Sequence, residues 1–195
     1  MMTQQTMKIY LTDQKNKFKK HLDFLKTRKA MTYDKTMLTE KTTTIDILTT
    51  KKLDQINPDF LFDYQIFPDN IMTFKTQWAD ENRKMKIGDT IAQQVFIPPT
   101  KTFSLKIIFG VRINEIIDQA DKKGFSYETL EGHVENGIST FTVEQLGNKV
   151  AFKVQTYSTP GNFLTKLLGP VFSVPYQTFC TKTALKIVKR QIENQ

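Results

Sequence analysis

Between residues 105 and 113, apolar side chains occupy every second position. Leu105, Ile107, Phe109, Val111 and Ile113 share one parity, and Lys106, Arg112 and Asn114 fall on the other. Alternation sustained this long predicts a strand with one buried face. Weaker runs of the same kind predict strands over 60–66 (Phe60, Phe62, Tyr64, Ile66) and over 72–78 (Met72, Phe74, Thr76, Trp78). Another strand is expected over 90–97, stopped by Pro98-Pro99, and residues 138–157 read as a hairpin turning at Gly147-Asn148. Two segments carry the helical period instead. After Thr12-Asp13, whose short side chains suit an N-cap, Phe18, Leu22 and Leu25 recur on one side with lysines around the rest, which predicts a basic amphipathic helix over 13–29. Val174, Thr178, Thr181, Leu185, Val188 and Ile192 recur at alternating helical steps and predict a long C-terminal helix over 172–191, with Lys189 on its solvated face.

The linking segments are less defined. Residues 32–50 are Thr-rich and suggest a short strand within loop; 51–57 suggest a short helix ended by Asn57-Pro58. Residues 158–170 form a connector around an apolar turn at Phe163, Leu164, Leu167 and Leu168. The order of elements gives an α+β chain, with a curved antiparallel sheet wrapped around the long C-terminal helix that covers its concave face. Residues 1–50, the basic helix and Thr-rich segment, are expected to pack on or be appended to the main domain at 51–195.

Charge sharpens this division. The chain carries a net +8, but residues 1–52 hold twelve Lys/Arg against five Asp/Glu, so nearly all of the excess lies there. Such clustering attracts acidic surfaces, yet no basic run is interleaved with aromatics in the manner of an RNA-binding sheet. Nucleic acid is therefore not the expected partner. No apolar run approaches the roughly 18 residues of a membrane span, and the start lacks a signal-peptide core, so a cytoplasmic, soluble protein is expected. Cys180 is the lone cysteine, and the two histidines, His21 and His133, stand far apart in sequence. An internal disulfide and thiolate-rich zinc sites are excluded, and no phosphate-binding loop or nucleophile elbow appears, so neither metal nor cofactor is expected.

One stretch is more specific. Gly124-Phe125-Ser126-Tyr127-Glu128-Thr129-Leu130-Glu131-Gly132-His133-Val134-Glu135-Asn136-Gly137 resembles the signature G-F-x-Y-x-T-L-x-G-H-x-E-x-G of the bacterial and plant domain-of-unknown-function family nineteen-ninety. Phe141, Tyr157-Ser158-Thr159-Pro160, Leu167-Leu168-Gly169-Pro170 and Gln177 extend the match in order. The chain departs from the pattern at Tyr64, where the family often has Trp, and at Ile138-Ser139, where it often has acidic residues. The resemblance implies a helix-grip fold of the START- and polyketide-cyclase-like kind, and it carries no assigned reaction.

Within the motif, Tyr127 and Thr129 share a parity, while Gly132 and Gly137 each permit a turn, leaving His133 and Glu135 in a loop at the rim of any cavity. His133 beside Glu135 suits a general base, or it braces the turn through backbone hydrogen bonds. Tyr127 suits a hydrogen-bond donor to a ligand, or a core aromatic. Three functions follow. The first is a non-enzymatic module binding a small apolar or lipid-like ligand, with Tyr127, Thr129, His133 and Gln177 as polar anchors and Trp78 and Phe109 among the lining aromatics, beside Phe74, Phe141, Phe152 and Phe179. The second is an enzyme using His133 and Glu135 on such a ligand. The third is an interaction protein whose basic ends meet nucleic acid or an acidic surface.

Overall fold

The computed structural model describes residues 8–160 and 169–195, so the expected apolar turn at 163–168 lies outside the described residues. The strands are β1 (Lys8–Tyr10), β2 (Thr39–Ile47), β3 (Met72–Thr76), β4 (Thr90–Ile97), β5 (Leu105–Asp118), β6 (Lys122–Thr129), β7 (Glu135–Leu146) and β8 (Lys149–Pro160). The helices are α1 (Phe18–Lys26), α2 (Asp59–Phe62), α3 (Gln77–Asp80) and α4 (Gly169–Glu193). Among the described residues the strands form one antiparallel sheet in the order β2-β8-β7-β6-β5-β4-β3, with β1 added beside the start of β5.

The parity at 105–113 marks the first half of β5. A register shift between Ile113 and Glu115 then exchanges the faces, so that Ile116 continues the inward row begun by Ile107, Phe109, Val111 and Ile113. Such a bulge bends the strand and strengthens its twist, which helps the sheet curve around a helix. On the concave side α4 lies against β2 and β8 and buries Leu185, Val188 and Ile192 in the same core as that row. On the convex side Phe18, Leu22 and Leu25 of α1 pack on Ala92, Ile108 and Leu130. The basic helix thus docks on the back of β4 and β5. Arg112 fixes its end by donating to the carbonyls of Leu25 (3.4 Å) and Lys26 (3.1 Å), and Lys19 and Lys26 pair with Asp80 and Glu81 at the C-terminal end of α3.

Several local expectations change. Residues 60–66 are not a strand: Asn57 accepts the Asp59 N–H at 2.9 Å and starts the single turn of α2. Leu61, of the opposite parity to Phe60 and Phe62, is fully buried together with Tyr64 and Ile66, and Tyr64 sits at φ 63°. The Thr-rich segment holds a full nine-residue edge strand, β2, rather than a short one. The helix predicted over 13–29 is split into a 3-10 turn at Lys15–Lys17 and α1, with the Asp13 carboxylate accepting the Lys15 N–H at 2.8 Å. Only the 3-10 turn Leu53–Gln55 forms within 51–57. Lys189 does not simply face solvent, since its ammonium pairs with Glu193 and donates to the Asp46 carbonyl, both at 2.8 Å, tying α4 to β2.

Candidate functional site

A cavity of about 490 Å³ lies between the concave face and α4, at the end of the sheet where β4 and β8 finish and β5 and β7 begin. Its two walls differ because the strands behind them differ. β4 and β5 are covered on both faces, and they present Val95, Ile97, Ile107 and Phe109, next to Met72 of β3. The β2, β7 and β8 wall presents Thr39, Lys41, Ser139, Thr156 and Ser158. From α4 come Tyr176, Gln177, Cys180, Thr181 and Ala184.

Polar groups converge inside this space. Gln93, 1% exposed, donates from Nε2 to the Tyr64 hydroxyl at 2.6 Å. The Tyr64 and Tyr127 hydroxyls bond to each other, and Tyr127 also engages Ser139 and Gln93. Burial pushes both phenols above their ordinary pKa, most strongly for Tyr64, so the cluster is uncharged at neutral pH. At the cavity's α4 side, Tyr176 donates to the Phe96 carbonyl at 2.8 Å, anchoring helix to sheet. Burial raises the neighbouring Cys180 thiol to about 11, which keeps it protonated and poorly nucleophilic.

The motif residues divide by role. Gly132, at φ 92°, makes the turn after Leu130, and the His133 N–H closes it onto the Leu130 carbonyl at 3.0 Å. Nδ1 of the His133 ring lies 3.0 Å from both the backbone nitrogen and the carbonyl oxygen of Glu135, and the ring sits edge-on to Phe109 with centroids 4.2 Å apart. Burial lowers the His133 pKa to about 4, against the smaller raising effect of its Glu135 backbone contact. Burial raises Glu135 to about 6, against the pull of Lys41. Both side chains line the cavity, with Glu135 as the first residue of β7 rather than within the loop.

Tyr127, His133, Gln177 and Phe109 are therefore brought together with Glu135 around one space. Thr129 and Trp78 lie away from it. The Thr129 hydroxyl bonds the N–H (3.1 Å) and carbonyl (3.3 Å) of Gly137, closing the β6–β7 seam where the ladder ends. Trp78 leaves the strand alternation because the Thr76 hydroxyl caps α3 by accepting the Ala79 N–H at 3.3 Å, and its ring is buried in the core. Of the other aromatics expected in the lining, Phe141 is there; Phe74 and Phe152 belong to the packed core, and Phe179 is 44% exposed. Sequence reading missed Gln93, Ser139 and Lys41. Gln93-Gln94 within the apolar β4 was the available signal, since a buried amide demands partners.

The two motif pKa values predict opposed pH effects. For Glu135, a folded pKa of about 6 against 4.5 means that stability present at low pH is lost as pH rises through about 6. For His133, a folded pKa of about 4 against 6.5 means that stability present above 6.5 is lost as pH falls toward 4. At one pKa unit per 1.36 kcal/mol, these are on the order of 2 and 3 kcal/mol, and they largely offset each other. Glu135→Gln removes the compensating group. Its stability relative to the parent should therefore fall by about 2 kcal/mol between pH 7 and pH 4, measured by urea titration at each pH. Parallel pH profiles for parent and variant would show that Glu135 is not held in a desolvated site.

The family model described as "Domain of unknown function (DUF1990)" matches residues 58–186. No curated protein matches the chain in sequence. Among solved structures, the fold is similar to that of the ginseng major latex-like protein 151 from Panax ginseng, with a TM-score of 0.51 and 13% identity over 80% of this chain and 98% of that one. It is also similar to a hypothetical protein from Helicobacter pylori, with a TM-score of 0.52 and 12% identity over 83% of this chain and 97% of that one. At such identity the likeness is one of fold, and that fold is the helix grip.

Proposed function

This chain belongs to the DUF1990 family, and from that premise we propose that it is a non-enzymatic binding protein for a small apolar or lipid-like ligand held between the sheet and α4. The observation that carries this reading is the cavity of about 490 Å³, within the roughly 300–1,000 Å³ usual for small-molecule sites, with an uncharged polar cluster inside a largely aliphatic and aromatic lining. Gln93, Tyr127 and Ser139 offer hydrogen bonds without a fixed charge. A hydroxyl or carbonyl on an otherwise apolar skeleton suits them, whereas a buried ionised group would have to be desolvated without a counter-charge among those three. The acid–base reading of His133 and Glu135 has less support, because the imidazole is bound into its own turn by the Glu135 amide.

Native mass spectrometry of protein purified from its own cell type should detect a retained apolar compound. Tyr127→Phe, which keeps the ring and removes one donor, should weaken retention by about 1 kcal/mol, or roughly fivefold. An empty protein that also fails to displace a fluorescent apolar probe would reject the reading, as would retention unchanged by filling the cavity with Ala184→Phe.

A further inference from the structure

The cavity end of the sheet carries a second feature that ligand binding alone does not use. Phe103, in the loop joining β4 to β5, is 95% exposed and held at φ 51°; Leu11, just beyond β1, is 79% exposed. The buried Lys106 ammonium joins these two segments, donating to the Leu11 carbonyl at 3.1 Å and the Ser104 carbonyl at 2.8 Å. Two large, exposed apolar side chains thus sit on segments that Lys106 ties together. A bulky aromatic at positive φ in full contact with water contributes nothing to folding, and an outlier of this kind points to function.

Cations stand beside this tip. The Tyr10 ring packs edge-on against His21 at 5.6 Å and so sets the end of β1 against α1. Around His21, whose pKa is lowered first by burial, lie Lys8, Lys17 and Lys20, each lowering it further. Among the described residues these three lysines form no ion pair, although Lys19 and Lys26 of α1 do, and the Lys8 ammonium lies over the Phe24 ring at 4.0 Å. We propose that Leu11 and Phe103, flanked by Lys8, Lys17 and Lys20, dock this end of the protein on an anionic lipid surface. The match is one of chemistry: apolar side chains enter the acyl boundary while lysines meet the headgroups. A phosphodiester backbone would use the lysines but gives Leu11 nothing to enter. The surface lies at the same end of the sheet as Ile97 and Ile107, which line the cavity. That the docking serves loading or delivery of an apolar ligand rests on the function proposed above; the docking itself does not.

Flotation of the full chain with phosphatidylcholine vesicles, with and without phosphatidylserine, tests this without any cavity ligand. Binding is expected only to the phosphatidylserine vesicles, and it should weaken with salt. Phe103→Asn, which suits the positive φ, and Leu11→Ser should each reduce binding about tenfold while leaving the melting temperature unchanged. Lys17→Gln with Lys20→Gln should reduce it more than tenfold and flatten the salt dependence, at roughly fivefold per lysine. No flotation of the parent, or flotation indifferent to both apolar substitutions, would overturn the proposal. So would tighter binding to a single-stranded oligonucleotide that ignores Phe103→Asn, which would assign the lysines to nucleic acid. A protein that floats as expected but retains no compound in native mass spectrometry would keep the docking surface and lose the cavity function.

Discussion

Gly137→Ala should be destabilised by at least about 3 kcal/mol, more than most single substitutions cost. The position lies within β7, paired with Ser158 of β8, rather than in a turn. A β-carbon there would stand 1.9 Å from the Tyr157 carbonyl oxygen and 2.8 Å from the Ser158 Cα, both backbone atoms that no rotamer change can move. The two strands would have to separate at the point where Thr129 also bonds Gly137 from the β6 side. Relief in either direction breaks hydrogen bonds that are buried at the cavity end. Chemical denaturation would measure the loss, and a midpoint near that of the parent would show that β7 and β8 can part there without cost.

Leu185→Ala should lower stability by about 2–5 kcal/mol, the usual cost of removing a buried leucine side chain and leaving a partly collapsed cavity. Leu185 is 4% exposed and packs with Val188 and Ile192 of α4 against the concave face. Lys186, the next residue, is exposed, and its truncation to alanine should stay within about 0.5 kcal/mol. The pair isolates the helix face. Equal shifts in melting temperature for the two variants would mean that α4 is rotated from the orientation described.

The sequence made the frame readable where periodicity was long. The parity of β5, the β7–β8 hairpin and the alternating spacing in α4 each report a single buried face, and each formed. Short patterns misled. Phe60, Phe62, Tyr64 and Ile66 alternate, but the segment starts at a proline and an Asn-capped turn, and local hydrogen bonds outweigh a weak β preference there. At the site, the motif located Tyr127, His133 and Glu135 at the cavity, because a loop held between two strands can only reach the sheet's end. It could not separate Thr129 from Tyr127, since parity specifies a face and not whether a hydroxyl will turn to its own backbone. Gln93 and Ser139 needed the three-dimensional pairing of β4 with β5 and of β6 with β7 before they met Tyr127.

The span that defines the family and the span that forms the sheet differ in length. Residues 58–186 leave out β2, yet β2 runs the length of β8 from Thr39 beside Ser158 to Ile47 beside Val150. Without it, β8 would present an unpaired row of amides and carbonyls, the kind of edge that recruits other chains. β2 takes those rungs and becomes the outer strand of the sheet itself, where Glu40, Lys41 and Asp46 set charge among its threonines, the kind of edge that discourages a further strand.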